Sequence, residues 1–206
     1  IEELAINNFQ VVSANTDGLV VYYKDEYEKL SKEFETAGYY SNLVLHNYIY
    51  KGASIEKNAR KELSKYNSYK SIIELLPDQG KLLHINCKLG VFDLICGLVK
   101  KELQITAIDS DAENIQLATN CASKPNNINY LSADQFAFAF SEYKYVLEFT
   151  PENSNIFEKC KINKKDFYIL ADKPTTFIEL LEINKGQLID NENYVVMKFN
   201  FAVHEK

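Results

Sequence analysis

Apolar and polar positions along the chain fall into three regimes. From Phe9 to Tyr23 two β-rich runs, Phe9-Gln-Val-Val-Ser and Leu19-Val-Val-Tyr-Tyr, flank Asn15-Thr-Asp-Gly18. The Asp-Gly pair supplies the positive φ of a tight turn, so the pattern predicts a β-hairpin. Between Lys24 and Tyr50 apolar residues recur at helical spacing, as at Tyr27, Leu30 and Phe34, with Gly38 as a break, which predicts two helices. Ser54 is placed to cap a charged helix through about Tyr66, and Ser68 to open another that carries Ile72, Ile73, Leu75 and Leu76 to Pro77. Beyond Pro77-Asp-Gln-Gly80, strand and helix patterns alternate. Lys81–Asn86, Gln104–Asp109, Ile128–Leu131, Tyr143–Phe149 and Asp166–Ala171 read as strands, and Val91–Lys101, Asp111–Ala122 and Asn153–Cys160 as helices. Such alternation implies a three-layer α/β domain on a parallel sheet with right-handed crossovers. Tyr194–Ala202 closes it as an antiparallel strand. The division expected is an extension over 1–75 and the α/β domain over 76–206.

Composition narrows the classes. The 206 residues are 46% apolar and 25% charged, enough for one such domain plus an extension. No apolar run approaches the ~18–20 residues that span a bilayer, so no membrane insertion and a cytoplasmic setting are expected. A net charge of -6 argues against a nucleic-acid partner, which needs a concentrated positive field. Cys87, Cys96, Cys121 and Cys160 lie far apart, with no CxxC pair and no His at ligand spacing, which predicts reduced thiols and no metal. Ile1-Glu-Glu-Leu-Ala is acidic and unlike a signal peptide, and the chain reads as a domain of a larger protein.

In an open α/β sheet, ligands bind beyond the carboxyl ends of the strands where strand order reverses. The first strand exits through Leu82-Leu-His-Ile-Asn-Cys-Lys-Leu-Gly90. The second ends Ile105-Thr-Ala-Ile-Asp109-Ser-Asp111, where a carboxylate can accept from both ribose hydroxyls of an adenosine ligand. The third leads to Ser132-Ala-Asp134-Gln135. These segments resemble the successive motifs of class I S-adenosylmethionine-dependent methyltransferases, whose first motif runs hydrophobic-Asp-hydrophobic-Gly-Cys-Gly-x-Gly. The resemblance implies a Rossmann-like methyltransferase fold and S-adenosylmethionine as cofactor. It also implies cofactor-binding positions at His84, Asn86, Cys87, Gly90, Asp109, Ser110, Asp134 and Gln135. Leu45-His-Asn-Tyr-Ile-Tyr-Lys-Gly52 and the Glu-rich helix behind it resemble the join between acyltransferase and methyltransferase in bacterial transporter/acyltransferase/methyltransferase proteins of aryl-polyene lipids. That implies a small-molecule or lipid-linked substrate.

Departures from the motif shape the expected function. His84 stands where the family has an acid, Asn86 and Lys88 where it has glycines, and Gly90 alone is kept. The expectation is a degenerate cofactor loop kept for binding or scaffolding, the alternative being a divergent active methyltransferase. Restoring the motif with His84→Asp, Asn86→Gly and Lys88→Gly is expected to raise affinity for the cofactor. No catalytic residue is assigned.

Several positions also have a plain structural reading. His84 reads as a hydrogen-bonded strand histidine, Lys88 as a solvated loop lysine, Cys87 as a packing residue and Asp111 as a helix cap. Glu148 and Glu152, after the fourth strand, read as exposed caps and helix-dipole partners. Phe136, Phe138, Phe140, Tyr143 and Tyr145 read as core. Val11-Val-Ser-Ala-Asn-Thr-Asp17-Gly18-Leu-Val-Val resembles the metal-binding palm hairpin of phage family B polymerases, but a metal-free hairpin is expected.

Overall fold

A computed structural model describes residues 10–14, 19–22, 38–40, 44, 48, 52–121, 124–132, 140–149, 151, 155–172, 186–190 and 194–201. The chain divides into two compact units, Ile1–Asn42 and Leu43–Lys206. In the first, strands β1 (Gln10–Ala14) and β2 (Leu19–Tyr22) form the expected hairpin, with Gln10 opposite Tyr22, Ala14 opposite Leu19 and a bulge between Val11 and Ser13. Its turn, including Asp17, lies outside the described residues. Gly38, expected to break a helix, is itself helical together with Tyr39 and Tyr40. The two helices expected between Lys24 and Tyr50 otherwise fall almost entirely on positions outside the described residues.

In the second unit, α1 (Ala53–Leu63) and α2 (Tyr66–Leu75) precede the sheet. Ser54 does not cap α1. Gly52, at φ 125, is the N-cap, and its carbonyl accepts from Glu56 N at 3.0 Å, which leaves Ser54 inside the first turn. Ser68 likewise lies inside α2 and is buried. Lys65 is the N-cap there, because burying Tyr69, Ile72, Ile73 and Leu76 at i, i+3, i+4 and i+7 pulls the helix start back to Tyr66.

Seven strands make one mixed sheet: β3 (Gln79–Ile85), β4 (Glu102–Asp109), β5 (Ile128–Ser132), β6 (Tyr145–Phe149), β7 (Asp166–Asp172), β8 (Gln187–Asp190) and β9 (Tyr194–Phe199). Their order is β5-β4-β3-β6-β7-β9-β8. The first five are parallel, and β9 inserts antiparallel between β7 and β8. Helices α3 (Val91–Val99), α4 (Ala112–Thr119) and α5 (Asn155–Ile162) carry the crossovers.

Strand alternation sets the layers. Leu83 and Ile85 join Val146, Phe157, Phe167, Ile169, Met197 and Phe199 in one buried cluster against α5. Leu82 and His84 face the other way, toward α3. Phe140 and Tyr143 belong to the α5-side core. Asn127 Nδ2 donates to the carbonyls of Gly97, Lys100 and Leu103, so one side chain ends α3 and starts β4. Among the described residues, no helix is long and apolar enough to cross a membrane.

Candidate functional site

Strand order reverses at β3, which lies between β4 and β6, so the crevice of this sheet opens at the carboxyl ends of β3 and β6. The loop leaving β3 has three left-handed residues at alternate positions: Asn86 at φ 61, Lys88 at φ 53 and Gly90 at φ 70. This is the backbone a glycine-rich turn would take, built here with two side chains that disfavour it. Its hydrogen bonds explain how it persists. Cys87 N donates to Ile108 O at 3.1 Å, Lys88 N to Asp109 Oδ2 at 2.8 Å and Gly90 N to Cys87 O at 2.9 Å, lacing the loop to the end of β4. Tyr48 Oη donates to Leu89 O at 2.5 Å and Tyr130 Oη to Gly90 O at 3.1 Å. A Cβ on Gly90 would meet Tyr130 Oη at 2.5 Å, so glycine is required there on two counts.

Asp109 ends β4, only 9% exposed. Oδ2 accepts from Lys88 N and Oδ1 from Asp111 N at 2.9 Å, so each oxygen already serves the chain's own backbone. Exposed Ser110 follows it, and Asp111 caps α4 by accepting from Glu113 N and Asn114 N. Asn86 reaches across the crevice, its Nδ2 donating to Phe149 O at 3.3 Å. Cys87 is buried, and burial followed by the charges of Asp93 and Asp109 pushes its thiol up, the opposite of nucleophile activation. Asp134, Gln135, Glu152, Phe136 and Phe138 lie outside the described residues.

His84 is fully buried, Nδ1 2.7 Å from Oδ1 of the equally buried Asp93 on α3. A carboxylate only accepts, so Nδ1 carries the proton. The imidazole lies 4.3 Å from the Phe149 ring and 5.2 Å from Phe92, edge to face with both. His84 Nε2 and Asp93 Oδ2 have no hydrogen-bond partner among the described residues.

Two expectations need correcting. Lys88 is not simply solvated: its side chain is 35% exposed and Nζ is 3.7 Å from Glu62 Oε1 on α1, because the left-handed backbone turns the side chain toward the helices that precede the sheet. Glu148 is 3% exposed rather than a surface cap, since it sits inside β6, a strand buried along its whole length between β3 and β7.

Sequence reasoning missed the groups that cover the loop. Glu62 accepts from Tyr69 Oη at 2.5 Å and Lys65 Nζ at 3.4 Å, all three nearly or fully buried. Burial first, and the Glu62 charge second, raise the Tyr69 phenol well above its usual range. The Tyr69 ring stacks on Phe149 at 5.6 Å and meets Phe92 edge-on at 5.5 Å, so Tyr69, His84, Phe92 and Phe149 form one aromatic cluster at the β3 and β6 exits. The available signal was Glu62, Lys65 and Tyr69 at i, i+3 and i+7, one face running through both helices. Among the described residues no three His, Cys, Asp or Glu side chains converge as a metal set.

No family model matches the sequence, and no curated protein matches it. Solved structures share the fold. A precorrin-6y C5,15-methyltransferase from Geobacter metallireducens superposes with a TM-score of 0.51 at 8% identity, over 66% of this chain and 87% of that one. TYW2 of M. jannaschii, in complex with AdoMet, gives 0.50 at 15% identity over 66% and 74%. A SAM-dependent O-methyltransferase from Thermotoga maritima gives 0.50 at 12% identity over 68% and 67%. The chain has the Rossmann-like fold of S-adenosylmethionine-dependent methyltransferases.

Proposed function

We propose that this is a methyltransferase-like domain whose cofactor crevice is closed from within, and that it works as a binding or scaffolding module. The observation that carries this reading is the bond from Lys88 N to Asp109 Oδ2. It ties the carboxylate best placed for a ribose to the loop that would otherwise approach the ligand.

The residues present do not fit S-adenosylmethionine. Asp109 is almost covered, and a backbone N–H already takes one acceptor position on each of its oxygens, which leaves little of it for a ribose. Asn86 spans the crevice to Phe149, and Lys88 projects a cation where the family's loop has no side chain. His84 is sealed with Asp93 among aromatic rings and offers a ligand ammonium no negative charge. Each lost charge-assisted hydrogen bond costs on the order of 1.5–3 kcal/mol, and two such losses lower affinity by several hundredfold or more, on the order of 10²–10⁴.

Titration calorimetry with S-adenosylmethionine and S-adenosylhomocysteine tests it. No saturable heat is expected below about 1 mM ligand, and a Kd in the micromolar range would overturn the reading. One observation favours a second reading, a divergent active enzyme: positions 86, 88 and 90 keep the left-handed backbone of a cofactor loop. In that case the substrate class is a small molecule or a lipid-linked substrate, as the resemblance around Leu45–Gly52 suggests, and the domain acts within a larger protein.

A further inference from the structure

We propose, building on the reading of a closed crevice, that α1 is a displaceable strap over the β3 loop, clamped shut by Glu62 between Lys65 and Lys88. Among the described residues little apolar surface holds the helix, since Ile55 and Leu63 are only partly buried. Of its 11 residues, Ala59 and Glu62 alone are classed as buried. A helix of this length is marginal by itself, so its order comes from what its buried side chains touch. Glu62 stands in the last turn of α1, where the helix dipole disfavours a carboxylate. It is 5% exposed there, accepts from Lys65 and Tyr69, and lies 3.7 Å from Lys88 Nζ.

The three partners differ in origin. Lys65 and Tyr69 belong to the next turn and to α2, which is anchored by its own buried face of Ser68, Tyr69, Ile72 and Ile73. Lys88 belongs to the loop. Closing α1 thus sets one buried carboxylate against the buried Lys65 ammonium, the Tyr69 phenol and the part-exposed Lys88 ammonium, and opening it parts Glu62 from Lys88 and returns the carboxylate to solvent. A partly satisfied arrangement is the costly one, since a buried charge deprived of one partner is left uncompensated. That favours two discrete positions over gradual fraying.

Both ends of α1 have the freedom such a motion needs. Gly52, exposed at φ 125 with open space around it, precedes the helix, and the two-residue turn Ser64-Lys65 follows it. Opening would free the Lys88 ammonium from Glu62 while leaving the strands of the sheet in place.

Hydrogen–deuterium exchange on the full chain tests the clamp. Glu62→Gln keeps an acceptor for Tyr69 but removes the charge, and Lys88→Asn removes the ammonium while tolerating the left-handed backbone. Each is expected to raise exchange across Ala53–Leu63 by about tenfold or more, Glu62→Gln the further because it also unpairs Lys65, and the double variant no further than Glu62→Gln alone, because the Lys88 pair is already lost there. Exchange in β3, β4 and β7 is expected to stay at the wild-type rate, and Lys57→Gln on the exposed side of α1 to change nothing. Unchanged exchange in α1, additive effects, or an equal rise throughout the sheet would each overturn the strap. Cofactor calorimetry plays no part in this readout, so the two readings fail separately.

Discussion

His84 Nδ1 and Asp93 Oδ1 lie 2.7 Å apart with both side chains fully buried, joining β3 to α3 beside the loop that leaves β3. This pair puts a stability cost on restoring the family acid at position 84, because the substitution falls in a buried, paired site. His84→Asp sets two carboxylates against each other in a dry, aromatic site, and breaking a buried pair this way costs about 3–5 kcal/mol. Urea denaturation is expected to show that loss, with about half recovered when Asp93→Asn is added, since an amide donates to the new carboxylate. Wild-type stability for the single variant would show that water reaches the pair.

Asp109 holds the loop through charge, so Asp109→Asn is expected to destabilise. The amide nitrogen must face either Lys88 N or Asp111 N, donor against donor, and one backbone N–H loses its acceptor. The expected loss is about 1.5–3 kcal/mol by chemical denaturation, with faster amide exchange at Lys88. A loss below about 0.5 kcal/mol would mean that solvent replaces the bond at no cost.

Strand-helix alternation made the layers readable, because a buried parallel sheet imposes apolar runs of the right length at Leu82–Ile85, Ile105–Ile108 and Val146–Phe149. β8 went unread because it is a four-residue edge strand whose Leu188 is 45% exposed, leaving no periodic signal. At the site, the position of Asp109 and the left-handed demand at 86 and 88 follow from motif spacing. Partners from remote elements do not: His84 gives no hint of Asp93, nor Lys88 of Glu62, because those pairings arise only when α1 and α3 dock. Ser68 failed as a cap for a related reason, since burial of Tyr69 and Ile72 outweighs the tenths to ~1 kcal/mol that a serine cap offers, while Ser54 gives way to Gly52, whose carbonyl opens α1.

Alkaline pH should destabilise the fold through its buried thiols and phenols. Burial raises the thiols of Cys87, Cys96 and Cys160 above an ordinary 9.0, and the phenols of Tyr48, Tyr69, Tyr130 and Tyr168 above an ordinary 10.0. Groups whose folded pKa is raised contribute stability that is complete below the unfolded value and is lost as pH rises toward the folded one. Stability is therefore expected to be unaffected by these groups between about pH 6 and 8 and to fall steadily above about pH 9. Urea midpoints across that range check the sign. A midpoint still flat at about pH 10.5 would mean that the thiols and phenols ionise in place.

Thiol reactivity gives an independent measure of the same burial. Cys87, Cys96 and Cys160 are buried and Cys121 is partly exposed, so a disulfide reagent at pH 8 should label Cys121 quickly in the native protein and the other three only on unfolding. Rapid native labelling of Cys87 would place the β3 loop in frequent contact with solvent.

Gly90→Ala is expected to be the most damaging small change in the loop. The backbone is left-handed at φ 70, which costs a residue with a Cβ roughly 1–2 kcal/mol. The new methyl would also stand 2.5 Å from Tyr130 Oη, 2.7 Å from Cε1 and 2.8 Å from Cζ, against a ring that is buried and bonded to the Gly90 carbonyl. Overpacking of this kind adds about 1–3 kcal/mol, for a total of several kcal/mol by denaturation. The two contributions separate by mutation. Tyr130→Phe removes the hydroxyl and leaves Cε1 and Cζ in place, so it should recover less than half of the loss, whereas Tyr130→Leu removes the ring and should recover the steric part while leaving the left-handed cost. If Tyr130→Leu restores nothing, backbone conformation alone makes glycine necessary at this position.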